Sequence, residues 1–436
     1  MNTFLPTEPY KGTRDFYPRD MAIQRYIFDT WAKTAESFGF ERYDASILEP
    51  SELYKSKGAE NEEMVNEQTY TFIDRGDREV TLRPEMTPTV ARLVAGKRRD
   101  LNFPIRWYSI PNLFRYERPQ RGRLREHWQL NCDLFGVNDY SADVEMIALA
   151  HSVLTAFGAK PTDFEIRIND RAEMRRLYAE IDINDAATQN EITRLNDRYH
   201  KMSHDEYIAE LNKIQDIKEK GATANVVALI QSQESYDNNV IKGLHALGIE
   251  NVKVDRTLAR GFDYYTGTIF EIFDTSGENN RSLIGGGRYD NLTGLFGGDP
   301  ISGIGFGMGD VTMRDFLETH NLLEGRIVPT GAALVILPME ATLNIEAEKI
   351  AQSFRTAGIR TSVDLSDKKI GKKLGAASDA AAEYVLVVGE NEITQNRFTL
   401  KKLVDGSETI GTLTELIEKI KLSELSKVRG SIENFE

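Results

Sequence analysis

The stretch RYERPQRGRLREHWQLNCDLFG, residues 115–136, restricts the possible folds of this chain more than any other part of it. Five arginines, Arg115, Arg118, Arg121, Arg123 and Arg125, crowd around a Pro-Gln-Arg-Gly turn. The chain leaves that turn in a strand-like alternation that carries Gln129 and Asp133. Arginine presents a planar fork of donors that matches phosphate. A guanidinium-rich loop between strands therefore suits a polyphosphate substrate, a nucleic acid, or both. The plainer alternative is a solvated basic hairpin.

Bulk properties narrow the choice. At 436 residues the chain is long enough for two or three domains. The formal charge is -14, so no global basic field draws in nucleic acid, and an RNA partner would have to use local patches. The single cysteine, Cys132, has no partner in the chain, which fits a reducing cytoplasm. No apolar run is long enough to span a membrane, and the opening MNTFLPTEPYKG lacks the basic start and apolar core of an export signal. The six histidines are scattered, with no HExxH and no Cys/His cluster, so no structural metal is expected.

Periodicity divides the chain into three textures. Residues 21–38 read as an amphipathic helix, with Ile23, Tyr26, Ile27, Trp31 and Ala32 at helical spacing. A strand-like stretch then runs to Leu48-Glu49-Pro50. Further strands are expected over 77–82, 105–110 and around the arginine loop, with helices from Thr87 and over 142–157. This mixture predicts an α+β unit with a largely antiparallel sheet. Residues 171–247 are rich in polar helix formers, as in DEYIAELNKIQDIKEKG, and read as a helical insertion. Strand and glycine texture returns from Val252 to about Gly309. A linker is expected at 326–331, punctuated by Pro329 and Gly331. After it, Ala332 opens a continuous apolar run of the kind a buried parallel strand needs. The alternation that follows predicts a compact α/β domain ordered βαβαββα, ending in a helix over 412–420 and a tail that frays after Ser423.

Three further segments carry chemistry. In TLRPEMTP, residues 81–88, Glu85 sits between prolines at a strand-to-helix junction, where a carboxylate could hold an ammonium ion or simply favour the helix start. In LARGFDYYTGTIFE, residues 258–271, Arg260 precedes the pair Tyr264-Tyr265, with Gly261 and Gly267 flanking. Tyrosines give apolar walls with a polar tip, which suits a heteroaromatic ligand or a buried core strand. In IGGGRYDNLTGLFGG and GIGFGMGD, glycines would let the backbone approach a ligand. Their spacing fits neither a dinucleotide fingerprint nor a GxxxxGK[ST] phosphate loop, so any ATP would be held by arginines on a sheet.

Taken together, these segments resemble the histidyl-tRNA synthetase family of class II aminoacyl-tRNA synthetases, nearly end to end. KGTRDFYP, residues 11–18, is similar to the family's opening motif. Pro50 closes what looks like motif 1, and residues 115–136 resemble motif 2. LARGFDYYTGTIFE resembles a segment peculiar to histidyl enzymes. The resemblance implies a class II catalytic core over 1–325 with its insertion at 171–247, an anticodon-binding domain over 332–422 and a tail over 423–436. It implies a cytoplasmic homodimer that takes ATP with Mg2+, L-histidine and tRNA(His).

The roles it implies are carried over residue by residue. Arg115 and Arg260 would be catalytic, holding the α-phosphate of ATP. Glu85, Thr87 and Gln129 would bind the histidine amino group, and Tyr264, Tyr265 and Asp133 would line the imidazole pocket. His127 would stack on adenine, with Arg123 also on ATP. Arg118 and Gln120 would face the tRNA acceptor end, and the insertion would clasp the acceptor arm. Lys368, Lys369, Lys372 and Lys373, in KKIGKK, would form a basic patch on the last domain.

Two positions depart from the pattern. Motif 3 of most relatives ends in a Glu-Arg pair whose arginine contacts ATP, and here Thr312 stands in that arginine's place. Asp133 is one carbon shorter than the glutamate of many bacterial relatives. Thr312 is the argument for the alternative, a histidine-sensing regulatory protein that charges no tRNA.

Overall fold

The structure, a computed structural model, describes residues 4–55, 68–199, 202–232, 238–260, 264–279, 281–327 and 331–433, with side chains to 423. The expected linker residue Pro329 and the expected flanking Gly261 lie outside the described residues. The chain forms two compact units, Met1–Ile327 and Val328–Glu436.

The first unit is built on a nine-stranded sheet. Its order is Glu41–Arg42, Ile105–Ser109, Glu126–Phe135, Gly303–Gly309, Ser282–Arg288, Thr268–Asp274, Phe164–Asp170, Val252–Val254, with Asn112–Phe114 pairing beside Glu126–Phe135. Parallel pairing occurs only at the two ends, so the expected α+β class with a largely antiparallel sheet holds. Along a strand, side chains alternate between faces. Leu130, Cys132 and Leu134, and likewise Ile304, Phe306 and Met308, point into one large apolar core. The helices Pro18–Ser37 and Ser141–Ala156 cover that face. On the first, Ile23, Ile27, Trp31 and Ala35 recur every fourth residue and are buried, and Tyr26 meets the Phe157 ring edge-on at 5.5 Å. The opposite face therefore receives His127, Gln129, Asn131 and Asp133 from one strand and Gly303, Gly305, Gly307 and Gly309 from its neighbour.

The strand-like stretch before Pro50 resolves into two pieces. Glu41–Arg42 joins the large sheet, and Leu48–Pro50 belongs to a separate three-stranded sheet with Glu79–Leu82 and Tyr70–Ile73. Residues 171–247 carry the helices Arg171–Glu180, Ala186–Asn196, His204–Leu211, Gln215–Lys220, Thr223–Gln231 and Asn239–Ala246 among the described residues. They have a core of their own around Tyr178, Ile192, Tyr207 and Val226. The Asp170 carboxylate starts the first of these helices by accepting from the backbone N–H groups of Ala172 and Glu173.

In the second unit, Leu334–Pro338 lies parallel between Thr361–Val363 and Tyr384–Val388, and Phe398–Lys402 and Glu408–Gly411 add on antiparallel. The apolar run is buried on both faces: Leu334 and Ile336 pack into one core, Val335 and Leu337 into another. Two elements add to the expected βαβαββα order, the helix Glu390–Gln395 and the strand Glu408–Gly411. Both are too short for a period to show, and Asn396 in the left-handed conformation stops the helix after six residues. The last helix, expected over 412–420, continues to Glu433, in keeping with its Leu, Lys and Glu content.

The basic patch is smaller than the spacing implied. Lys368, Lys369 and Lys372 are exposed, but Lys373 is buried. Its ammonium donates to the carbonyl oxygens of Pro338 and Asp364 at 3.1 and 3.2 Å. The helix Ile370–Asp379 turns that face toward the sheet, and the carbonyls there give the buried cation partners. No helix among the described residues is long and apolar enough to cross a membrane.

Candidate active site

A cavity of about 350 Å³ opens on the glycine-bearing face of the large sheet. Arg115, Arg123, His127, Gln129, Arg260 and Thr312 all line it, from segments up to about two hundred residues apart in the chain. The arginine turn is tight: Gln120 and Arg123 exchange backbone hydrogen bonds, and Gly122 takes a φ of +75° that a side chain would strain.

Three of the cationic side chains at the mouth are each held by a different partner. Arg115 donates its Nε–H to the Pro84 carbonyl at 2.8 Å. Arg123 pairs with Glu117 at 3.0 Å. Arg260 donates to Glu271 at 2.9 Å, and its Nε finds no partner among the described residues. Burial works against the Arg260 charge, yet the nearby Tyr265 and Glu271 leave its pKa above the ordinary value. Burial likewise pushes Glu271 up, and Arg260 opposes that shift. Arg171 donates to the backbone carbonyls of Arg260 and Tyr265 at 2.9 and 3.2 Å, which holds the loop carrying both side chains. Burial, with Arg115 and Arg14 nearby, lowers His127 to about 3, so its ring is neutral at physiological pH.

Beside Arg260, whose guanidinium lies 5.8 Å from the Tyr265 ring centre, is an acidic and aromatic cluster, Glu85, Thr87, Asp133, Tyr264, Tyr265 and Tyr289, none of which lines the cavity itself. Tyr264 donates to Glu85 at 3.1 Å and also bonds Thr87. Its ring lies 4.8 Å from that of Tyr265 and 5.9 Å from that of Tyr289. Tyr289 in turn donates to one oxygen of Asp133, a fully buried carboxylate. The second Asp133 oxygen has no partner among the described residues. Burial raises this carboxyl to about 7, and the Tyr289 hydrogen bond opposes the rise. A buried acceptor left open in this way is costly unless a donor arrives.

Several of the glycines line the cavity, and they also make room for side chains. A Cβ on Gly285 would strike the Arg260 guanidinium, one on Gly307 the Gln129 amide, and one on Gly305 an Asp133 oxygen. The expected close approach of backbone to a ligand is thus joined by a second use of these glycines. On the site face of neighbouring strands they leave the volume that three functional side chains occupy.

Not every expected residue joins the cavity. Arg118 and Gln120 are exposed, and Gln120 lines only an adjoining space of about 260 Å³ with Arg121, Asn279 and Arg281. Arg125 is structural: it donates to Tyr10 at 3.0 Å, stacks 3.9 Å from the Tyr116 ring centre, and its backbone N–H bonds Gly12. It thus pins the opening segment to the loop. Asp310 does the same from the other side, accepting from Arg14 at 2.7 Å and from the Trp128 N–H at 2.9 Å. Arg171, Tyr289 and Asp310 were not singled out from the sequence because each acts across contacts remote in the chain, although Tyr289 and Asp310 both lie within the glycine-rich segments.

An antiparallel sheet that floors its cavity with glycines and mounts an arginine hairpin on a central strand defines the catalytic fold of class II aminoacyl-tRNA synthetases. Residues 12–310 match the family model of histidyl-tRNA synthetase, and residues 333–422 that of an anticodon binding domain. The chain belongs to the histidyl-tRNA synthetase family. It is 43% identical to the histidine–tRNA ligase of Leptospira biflexa serovar Patoc over 97% of this chain and 99% of the relative. It is 37% identical to that of Thermoplasma volcanium over 96% and 99%. Among solved structures, the apo S. aureus histidyl-tRNA synthetase superimposes with a TM-score of 0.72 at 26% identity, over 95% of this chain and 99% of that one. The histidyl-tRNA synthetase from Nostoc sp. PCC 7120 shares the fold, with a TM-score of 0.76 at 23% identity over 97% and 100%.

Proposed function

We propose that the protein is a histidine–tRNA ligase. It activates L-histidine with ATP and then transfers the histidyl group to the 3′ end of tRNA(His). In the first step a histidine carboxylate oxygen bonds to the α-phosphorus as the bond to pyrophosphate breaks, giving histidyl-adenylate. In the second, a terminal ribose hydroxyl attacks the activated carbonyl and AMP leaves.

The observation that supports this reading is the convergence of Arg115 and Arg260 on one cavity, with Arg260 next to a buried cluster that holds the Tyr264–Glu85 hydrogen bond and an open Asp133 oxygen. Two anions must meet in the first step, so fixed positive charge around the α-phosphate lowers the barrier. Arg115 and Arg260 supply it, and Arg123 extends it along the nucleotide. The neutral His127 ring stacks on adenine. Glu85, Thr87 and Gln129 hold the substrate ammonium, and Tyr265 walls the pocket beside Tyr264. Asp133 accepts an imidazole N–H through its open oxygen. A site built to bond both ring nitrogens rejects apolar isosteres by about 10⁴–10⁵. Mg2+ would enter with ATP, bound to its phosphates.

The remaining assignments follow the same reading. Arg118 and Gln120, exposed on the hairpin, meet the acceptor end of tRNA. The catalytic domain spans 1–325, its insertion at 171–247 clasps the acceptor arm, and residues 332–422 read the anticodon ahead of a tail at 423–436. Ile47, Leu48, Phe72 and Ile73 leave apolar surface exposed on and beside the three-stranded sheet, which supports a homodimer through this face. A lone, buried cysteine is compatible with the cytoplasm. Histidine-dependent exchange of labelled pyrophosphate into ATP, without tRNA and with the other amino acids as controls, tests the reading. Exchange with histidine alone is expected. Histidine binding without exchange would instead favour the regulatory alternative.

A further inference from the structure

The site leaves one guanidinium unaccounted for. Arg281, at the start of the strand that carries Gly285, lines both the main cavity and the adjoining one. It is half-buried and makes no hydrogen bond or ion pair among the described residues, unlike Arg123 and Arg260 at the same mouth. Its stem packs over the strained turn of the arginine hairpin. A Cβ on Gly122 would lie 2.9 Å from Arg281 Cδ and 3.4 Å from Thr312 Cγ2, so Arg281 and Thr312 press on the same glycine. Thr312 itself turns away from ligand chemistry, donating its hydroxyl to the Gly309 carbonyl at 3.2 Å. Its short side chain leaves the volume above Gly122 to Arg281.

The electrostatics fit an absent anion. Burial first, and then the neighbouring Arg123, lower the Arg281 pKa, so the two cations face each other across the mouth. Glu117 lies near both but closes its ion pair with Arg123. A multiply charged anion between the two guanidiniums would relieve that repulsion and complete their hydrogen bonding.

We infer that Arg281 is an ATP-binding residue, holding the outer phosphates in the place that Thr312 leaves without an arginine. The inference rests on the proposed ligase reading and supplies what that reading lacks at Thr312. It separates two sources of phosphate, ATP and the tRNA backbone, in favour of ATP, because Arg281 shares the cavity that Arg115 and Arg260 line.

The test is kinetic. In pyrophosphate exchange, which contains no tRNA, Arg281→Ala is expected to raise the KM for ATP by about 10- to 100-fold, as loss of a charge-assisted hydrogen bond would. The KM for histidine should stay within about twofold, since Glu85, Thr87, Asp133, Tyr264 and Tyr265 line neither of the cavities that Arg281 lines. Arg281→Lys should recover only part of the loss, because an ammonium cannot reproduce the fork. Adding Thr312→Arg to Arg281→Ala should restore most of it by returning a guanidinium over Gly122. An unchanged KM for ATP, with a raised KM for tRNA in aminoacylation, would overturn the inference and give Arg281 to the tRNA. If the unaltered protein does not exchange at all, the ligase reading fails separately. Calorimetric titration with MgATP then still decides the inference: equal affinity in both proteins sinks it.

Discussion

The arginine-lined mouth of the cavity and the buried cluster next to Arg260, at its back, handle charge in opposite ways. At the mouth, Arg115, Arg123 and Arg260 sit among carbonyl and carboxylate partners. Arginine stays protonated far above neutrality, so this end keeps its positive potential across the physiological range. At the back, Asp133 and the Tyr264 and Tyr289 hydroxyls are buried, and burial shifts each toward its neutral form. The arginine charges at the mouth are therefore insensitive to pH, and the buried cluster is not. On the proposed reading, charge stabilisation belongs at the mouth and selection of the amino acid in the cluster.

That division can be broken most sharply at Arg260. Arg260→Ala is expected to lower adenylate formation by roughly 10²–10³ while leaving assembly intact, read by pyrophosphate exchange and by size-exclusion chromatography. Near-normal exchange would remove Arg260 from the reaction. A second substitution reaches the same side chain without touching a charge. Gly285→Ala places a methyl where the guanidinium lies, so exchange should fall by at least tenfold, with about 1–3 kcal/mol of lost stability from overpacking. If exchange survives, the glycine does not reserve that space.

The back of the cavity predicts losses in histidine recognition alone. Asp133→Asn should raise the KM for histidine about 10- to 100-fold with little change for ATP. Tyr265→Phe should act in the same direction but more weakly, by a few-fold, since only one hydroxyl is lost. Equal effects on both substrates would erase the boundary between the two ends. The smallest effect concerns stability without ligand. Asp133 has its folded pKa raised to about 7 from an ordinary value near 4, so the fold favours its protonated form. Stability should fall as pH rises from about 4 to about 7 and then level off. Thermal melts should show Asp133→Asn gaining on the unaltered protein over that window by several degrees. A constant difference would mean that the carboxyl ionises in the fold without penalty.

Much of this architecture was legible from one chain. The arginine hairpin announced itself by composition, and its exit strand by alternation, because a strand's period of two is written directly in HWQLNCDLF. The buried parallel strand of the second unit was equally plain in ALVIL. Other features were not. Arg125 looks like its neighbours in the loop, yet it packs against Tyr116 and Gly12 instead of facing the cavity. Lys373 belongs to a run of surface lysines and is nevertheless buried against two carbonyls. The alternation GIGFGMG showed a strand with glycine on one face, but not what filled the space opposite.

The sequence by itself determined which residue types were available and which local elements they form. Helical stripes, strand alternation and turn glycines act over a few residues, so near neighbours suffice to read them. The tertiary structure alone decided which side chains meet. Arg281 and Thr312 share Gly122 although about two hundred residues separate the hairpin from Thr312. Asp133 has one oxygen bonded to Tyr289, which directly follows a strand two places away in the sheet, and the other open. Sheet register sets such meetings, and register depends on the whole packed core rather than on any one segment.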